Sequence, residues 1–122
     1  MSNMDDLFSV MVAPAASDRM EEHFAFLGRV SEAAAAKFLD RLLTDIHSLE
    51  QMPHRNPVYD RPYLKPGKYR YMISHGKYRI VYQIEERMVF VDDIQDCRQS
   101  DDHIILAKDK TDPNRFVPLD ER

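Results

Sequence analysis

Basic side chains are concentrated in one stretch of this 122-residue sequence. Residues 54–79 contain seven of the seventeen Lys and Arg residues and a single acid, Asp60. The seven are Arg55, Arg61, Lys65, Lys68, Arg70, Lys77 and Arg79. Guanidinium and ammonium groups bind anions through charge-assisted hydrogen bonds, and a partner meets this local patch rather than the total charge of −4. The stretch therefore predicts a surface for a polyanionic partner.

Other side chains capable of chemistry form no recognisable site in the sequence. The five histidines are scattered, with no pair four residues apart beside a third ligand, so no metal site is predicted. Cys97 is the only cysteine. A single cysteine cannot form an internal disulfide, and Cys97 has no His partner that would activate it as a nucleophile. Three glycines do not form a phosphate-binding loop, so no cofactor is predicted either.

A strand and two helices are expected to precede the basic stretch. Residues 7–13 are apolar and predict a strand that ends at Pro14. Residues 17–28 have apolar side chains at helical spacing, and Gly28 is a natural stop. Ser31 is a suitable N-cap for a second helix, whose apolar stripe continues until Pro53. The short loop between the helices predicts an antiparallel hairpin.

Three strands are predicted in the second half, at residues 69–74, 77–85 and 88–96. Two-residue turns at His75 with Gly76 and at Glu86 with Arg87 would join them. Because strand side chains alternate, this register predicts two chemically different faces. A core face would contain Tyr69, Tyr71, Ile73, Tyr78, Ile80 and Tyr82. A basic face would contain Arg70, Met72, Lys77, Arg79, Val81 and Gln83, joined by Phe90, Asp92 and Ile94.

The basic face has an alternative explanation in the sequence. Asp92 is expected near Arg70 and Arg79, so these arginines could serve only to pair with a neighbouring carboxylate. The same register places the tyrosines in the core, where they cannot stack on nucleic-acid bases.

The pattern predicts an α+β fold in which an N-terminal strand and a two-helix antiparallel hairpin pack on an antiparallel sheet. Residues 1–106 are expected to form a single domain, and residues 107–122 a polar C-terminal tail, with a short helix starting at Ser100. The acidic N-terminus is unlike a signal peptide, and no stretch has the roughly 20 apolar residues of a membrane helix. The expected location is the cytoplasm, with no membrane partner.

Three segments resemble one known family. They are "AAAAKFLDRLLTDIHSLEQMPHR", "GKYRIVYQIEERMVFV" and "DCRQ". Together they make residues 9–106 similar to the RelE/ParE toxin superfamily of type II toxin–antitoxin modules, which includes plasmid stabilization proteins. The resemblance implies a small toxin that a cognate antitoxin neutralises.

The RelE-like branch of the superfamily implies a metal-independent endonuclease that cleaves mRNA on the ribosome. By that resemblance Arg79 would face the scissile phosphate, Arg98 would be a second catalytic arginine, and His103 would transfer protons. Lys65, Lys68, Arg70 and Lys77 would bind the RNA.

Other branches of the superfamily remain open as alternatives. Many of the nucleases have a tyrosine near the C-terminus, whereas no tyrosine follows Tyr82 here, and acids surround His103. A ParE-like, non-enzymatic inhibitor of DNA gyrase is the main alternative. A degenerate module that binds only its antitoxin is the other.

Overall fold

The chain forms one mixed β-sheet with a helical hairpin on one face. In the computed structural model, residues 7–98 and 117–118 are described. The elements are β1 (Ser9–Val12), α1 (Pro14–Gly28), α2 (Glu32–His47), β2 (Tyr69–Ser74), β3 (Tyr78–Glu85), β4 (Met88–Asp96) and β5 (Val117–Pro118). The strand order is β2-β3-β4-β1-β5, with β1 parallel to β4 and the other pairs antiparallel. The predicted α+β class is confirmed, and the antiparallel arrangement holds for β2, β3 and β4.

The helical hairpin forms where the sequence pattern predicts it. Helix α1 begins earlier than expected, at Pro14, because the fixed φ of proline suits the first helical position. It ends at Gly28 as predicted. The Ser31 side chain accepts a hydrogen bond of 3.1 Å from the backbone N–H of Ala34, which confirms the N-cap of α2. Two short 3-10 turns, Ser48–Glu50 and Pro53–Arg55, follow α2.

The helices pack on one face of the sheet, here called the helix-covered face. Its core combines buried side chains of both helices with alternate residues of β3 and β4 and with β1. The fully enclosed members include Leu42, Ile46, Leu49, Ile80, Tyr82, Val89, Val91 and Ile94. Burial of apolar surface is worth about 25 cal/mol per Å², so this layer provides most of the driving force that holds the hairpin on the sheet.

The predicted register of β2 against β3 is wrong by one residue. The Lys77 N–H donates to the Ser74 carbonyl across His75 and Gly76, so the chain turns at the predicted position, but the loop contains three residues instead of two. Both turn residues have positive φ. Lys77, however, is left outside the ladder, and Ser74 pairs with Tyr78. This extra residue reverses the two faces of β2 relative to β3.

The shift places Met72 and Arg70 on the helix-covered face, opposite Ile80 and Tyr82. Tyr69 and Tyr71 move to the other face, beside Arg79, Val81 and Gln83. The expectation that all the hairpin tyrosines lie in one core is therefore wrong for Tyr69 and Tyr71. It is right for Tyr78 and Tyr82, which are buried against the helices.

A connecting segment, residues 56–68, covers the opposite face of the sheet, here called the loop-covered face. Its Tyr59 and Leu64 pack with Tyr69, Tyr71 and Val81 into a second apolar cluster. The segment contains little regular structure, as expected, but a bridge between Val58 and Arg70 fixes it to the edge strand. The predicted solvent-facing basic surface is thus partly enclosed.

A β-bulge in β4 shifts the pairing of β3 with β4 away from the predicted register. The turn at Glu86 and Arg87 pairs Glu85 with Met88 as predicted, and Phe90 lies opposite Gln83. One extra residue then enters β4, so that Val81 pairs with Asp93 while Tyr82 pairs with Val91. Ile94 consequently lies opposite Ile80 in the helix-covered core, and its predicted position on the basic face is wrong.

The end of the chain contributes one short strand. Val117 and Pro118 of β5 pair with Val12 and Met11 of β1. The helix predicted from Ser100 onward lies outside the described residues.

Candidate functional site

Arg79 is held in a cage of side chains on the loop-covered face. It projects from β3 and is half-buried. One terminal nitrogen donates a hydrogen bond of 2.8 Å to Gln95 Oε1. The guanidinium carbon lies 5.1 Å from the ring centroid of Tyr59 and 5.6 Å from that of Tyr71, which is cation–π range. One terminal nitrogen thus has a protein partner before any ligand arrives, and two aromatic rings lie against the guanidinium.

Tyr59 is the centre of this cage, and the connecting segment positions it. Its backbone N–H donates to the Tyr69 carbonyl at 2.7 Å, and the Tyr71 N–H donates to the Pro57 carbonyl at 3.1 Å. The Tyr59 side chain is 1% exposed, and its hydroxyl donates to Gln95 Oε1 at 3.2 Å. The Arg61 guanidinium lies 4.4 Å from the same ring. Tyr59 therefore joins two arginines and β4 into one cluster.

Two buried carboxylates offset the positive charge of the loop-covered face. Asp92 and Asp93 lie at the β4 bulge and are fully buried. Gln83 Nε2 donates to Asp92 at 2.6 Å. Asp93 accepts from the backbone N–H of Ile94 at 2.8 Å and lies 3.8 Å from Arg19 of helix α1. A phosphate brought to this face would meet the negative charge of Asp92, whereas Asp93 is paired with Arg19.

The electrostatics of Tyr69 reflect the same carboxylates. Burial raises the pKa of the Tyr69 phenol to about 12, and the negative charge of Asp92 adds to the increase. The phenol is therefore neutral at physiological pH and is a poor general base there.

The basic residues named as an RNA-binding set do not share one surface. Arg70 donates to the Asn56 carbonyl at 2.6 Å and to the His54 carbonyl at 3.3 Å, and so fixes the start of the connecting segment. Lys68 lies 5.3 Å from the Tyr69 ring. Lys65 is exposed on the connecting segment, and Lys77 is exposed at the β2–β3 turn.

Arg98 lies two residues beyond the end of β4 and is exposed. Its Nε and a terminal nitrogen donate to the two carboxylate oxygens of Asp96 at 2.8 Å and 2.7 Å. The hydrogen bond from Arg98 lowers the pKa of Asp96 against the opposing effect of burial. This two-pronged pair fixes the guanidinium at the edge of a cleft.

The cleft consists of two adjoining cavities that share Arg98 and Tyr78. The first, of about 310 Å³, lies between the helical hairpin and the β2–β3 turn. The second, of about 560 Å³, is also lined by Arg19, His23 and Asp96. Arg79 lines neither cavity. Arg98 therefore lies at the cleft, whereas Arg79 lies on the loop-covered face.

His23 is a cleft residue that the sequence analysis left unassigned. Its Nε2 lies 3.0 Å from the Ile94 carbonyl oxygen, which only accepts, so this nitrogen carries the proton. Its ring lies 5.0 Å from the Tyr78 ring. Burial raises the pKa of Tyr78, and the nearby Asp96 adds to the increase. The sequence around His23 does not indicate this contact, because Ile94 lies 71 residues further along the chain. His103 lies outside the described residues.

Metal-ligand clusters and membrane-spanning helices are both absent from the part of the chain that the structure describes. Within residues 7–98 and 117–118, no three His, Cys, Asp or Glu side chains converge as metal ligands would. No helix in that part of the chain is long and apolar enough to cross a membrane.

Comparison with known proteins relates this arrangement to one family. Residues 10–100 match the family model described as "ParE toxin of type II toxin-antitoxin system, parDE". Among solved structures, a chain of the "Chromosomal ParDE TA system from P. aeruginosa" has a similar fold. The TM-score is 0.60 at 13% identity, over 75% of this chain and 97% of that chain. No curated protein matches the sequence significantly. Because the family model spans most of the chain, the protein belongs to the ParE toxin family of type II toxin–antitoxin systems.

Proposed function

We propose that this toxin arrests growth by binding a protein target, with DNA gyrase the leading candidate, and that a cognate antitoxin neutralises it. The observation that carries the proposal is the engagement of Arg79. RNA cleavage at this face needs a guanidinium whose N–H groups point at the phosphate as its charge develops. Here Gln95 accepts from that guanidinium at 2.8 Å, and the rings of Tyr59 and Tyr71 lie against it.

The surroundings of Arg79 support the same conclusion. Asp92 is fully buried, bonded to Gln83 of the loop-covered face, and its negative charge offsets part of the positive charge that RNA binding requires there. The connecting segment also lies over the face and would have to move before a ribosomal substrate reached β3. A toxin that acts by binding a protein needs neither a strongly positive face nor a movement of the connecting segment.

Endoribonuclease activity is the second candidate, and the cleft at Arg98 is what favours it. Arg98 could hold a phosphate there, and His23 and Tyr78 are residue types that transfer protons. The Asp96 carboxylate would have to release Arg98 for such a phosphate contact. This candidate therefore depends on Arg98 and not on Arg79.

The two candidates separate in a pulse-labelling experiment. The chain is expressed from a tightly controlled promoter in bacterial cells, and the synthesis of DNA and of protein is followed after induction. We expect DNA synthesis to stop first, and we expect the purified toxin to inhibit supercoiling by gyrase. An early stop in protein synthesis with mRNA cut on the ribosome would instead support the nuclease.

Variants at the two arginines sharpen the result. Arg79→Lys keeps the charge and removes the planar fork, so the folded variant is expected to remain toxic. Loss of toxicity in Arg79→Lys, with circular dichroism and thermal unfolding unchanged, would contradict the proposal. Arg41→Ala is the matched control, because Arg41 is an exposed helix arginine paired only with the nearby Asp45 among the described residues.

A further inference from the structure

The connecting segment makes two consecutive tight turns before it enters β2. The backbone N–H of Leu64 donates to the Arg61 carbonyl at 3.0 Å, and that of Lys68 donates to the Lys65 carbonyl at 3.2 Å. Residues 61–68, here called the basic double turn, contain three bases and no acid. Their charge is opposite to that of the chain as a whole, which carries a formal −4.

The sequence of the basic double turn fixes its shape. Pro62 and Pro66 occupy the second position of the two turns, where the fixed φ of proline is favourable. Gly67 follows with a φ of 76°, a left-handed value that glycine adopts without strain. Leu64, between the turns, packs into the second apolar cluster and anchors them to the loop-covered face. Because the cations are held in place in advance, little conformational entropy is lost when a partner binds.

We propose that the basic double turn contacts the phosphate backbone of the DNA that gyrase holds. The inference rests on the proposed function, in which gyrase is the target, and it adds DNA as a second contact of the bound toxin. The ammonium groups of Lys65 and Lys68 would bind phosphate oxygens. Contacts of this kind position a protein on a duplex without reading its sequence.

The state of the two lysines supports an anionic partner. Lys65 is exposed, Lys68 is half-buried, and neither makes an ion pair with a described residue. The Lys68 ammonium lies 5.3 Å from the ring of Tyr69, whose phenol is neutral at physiological pH. Asp60, just before the turns, is the single acid of residues 54–79 and is itself exposed. The positive charge of the double turn is therefore available to a partner.

The spacing of the lysines fits a phosphate backbone. The first and last Cα atoms of a tight turn lie within about 7 Å of each other, so Lys65 and Lys68 start close together. Phosphates follow one another at about 3.4 Å of helix axis along each DNA strand, within reach of two such long side chains. Tyr63 is 56% exposed between the lysines and the start of the double turn, and a tyrosine hydroxyl donates to phosphate readily.

The surface of the double turn is less suited to a protein partner. Protein interfaces usually centre on an apolar side chain that enters a concave pocket. The two cavities of the cleft and a third cavity at helix α1 are lined by no residue of the double turn. An exposed, convex group of cations fits a phosphate backbone better.

The charge of the whole chain limits where the DNA contact acts. A chain with a formal −4 is repelled by free DNA at long range. When gyrase already holds the toxin beside DNA, the contact becomes intramolecular, and the high effective concentration makes a few phosphate contacts sufficient. The double turn is therefore expected to strengthen binding inside the gyrase–DNA complex.

The test uses the full-length toxin, purified gyrase and a plasmid. Lys65→Ala combined with Lys68→Ala removes both ammonium groups, whereas Lys65→Arg combined with Lys68→Arg keeps both charges. Arg29→Ala combined with Arg41→Ala is the matched control, because it removes two exposed bases from the helical hairpin. Circular dichroism and thermal unfolding establish that each variant is folded.

Two measurements are compared, inhibition of supercoiling and affinity for gyrase with and without the plasmid. In about 50 mM salt, we expect the double alanine variant to need about tenfold more toxin for half-inhibition. Raising the salt to about 200 mM should weaken binding of the original chain to the gyrase–plasmid complex about tenfold more than binding of this variant, because two phosphate contacts are lost from the salt dependence. The double arginine variant and the control should stay within about twofold of the original chain. Affinity for gyrase without DNA should be the same for all four chains.

Three results would overturn the inference. In the first, the folded double alanine variant inhibits gyrase as strongly as the original chain at both salt concentrations, which leaves the proposed function intact. In the second, this variant also binds gyrase less tightly without DNA, so the double turn contacts an acidic protein surface. In the third, the original chain neither binds nor inhibits gyrase, which overturns the proposed function as well.

Discussion

The two faces of the sheet are both covered, but by different means. The helix-covered face is an apolar layer in which side chains of α2 meet alternate residues of β3 and β4. The loop-covered face combines the small Tyr59, Tyr69 and Val81 cluster with buried Asp92 and Asp93 and the hydrogen-bonded Arg79. One face is held mainly by apolar burial, and the other by hydrogen bonds and cation–π contacts.

The difference shows why charge in a sequence is a poor guide to a binding surface. Arginines of the sheet hold loops and neighbouring strands. Arg79 on the loop-covered face binds Gln95, and Arg70 on the helix-covered face binds the Asn56 carbonyl. The cations at the cleft, Lys37 and Lys77, are exposed and unpaired among the described residues. A binding partner therefore reaches the exposed lysines of the cleft before the hydrogen-bonded arginines of the sheet.

The largest effect is expected on the helix-covered face. Leu42→Ala removes a fully buried side chain and should lower the free energy of unfolding by about 2–5 kcal/mol, because apolar contacts are lost and a cavity is left. Urea unfolding followed by circular dichroism measures the change. Leu43→Ala, at a half-buried position on the same helix, is the control and should cost less. Equal losses would mean that α2 does not pack on the sheet as described.

The next effect tests the loop-covered face. Arg79→Ala removes the hydrogen bond to Gln95 and the contacts with Tyr59 and Tyr71, so the free energy of unfolding should fall by about 1–3 kcal/mol. The same urea experiment applies, and limited proteolysis should cut the connecting segment faster. A variant as stable and as resistant as the original chain would show that the cage contributes nothing to the fold.

A smaller effect is expected where the two regions meet. The Tyr82 hydroxyl donates to the Pro53 carbonyl at 2.6 Å and accepts from Asn56 at 3.0 Å. Tyr82→Phe keeps the ring in the helix-covered core and removes the hydroxyl that binds the Pro53 carbonyl and the Asn56 amide. The expected cost is about 1 kcal/mol. Thermal unfolding measures it, and Tyr63→Phe, at an exposed tyrosine, is the control. A gain in stability would contradict the assignment.

The smallest effect appears only at alkaline pH. Burial and Asp92 raise the pKa of Tyr69 to about 12, above its value near 10 in the unfolded chain. The protonated phenol therefore stabilises the fold fully below pH of about 10, and this contribution is lost as the pH rises toward about 12. The free energy of unfolding, measured in urea between these pH values, should fall less steeply in Tyr69→Phe than in the original chain. Parallel pH profiles would argue against a buried Tyr69.

The sequence predicted the helices and the strand positions well because those signals are local. Ser31 caps α2 by accepting a hydrogen bond from the backbone N–H of Ala34, three residues away. The turn at Glu86 and Arg87 joins residues that pair directly on either side of it. The candidate site was harder to predict. Arg98 lines the cleft and Arg79 does not, and His23 reaches the cleft from helix α1. Assignments carried over from a family do not show which hydrogen bonds a side chain makes in this chain.

By itself, the amino-acid sequence determined the α+β elements, the apolar stripe of α2, the positions at which the chain turns and the concentration of basic residues between 54 and 79. Only the tertiary structure decided which faces of β2 and β4 meet the helices, because one extra residue at Lys77 and one at the β4 bulge reverse the alternation. It also placed Tyr59 over Arg79. The physical reason is range: caps and turns act within a few residues, whereas the burial of a face depends on segments far apart in the chain.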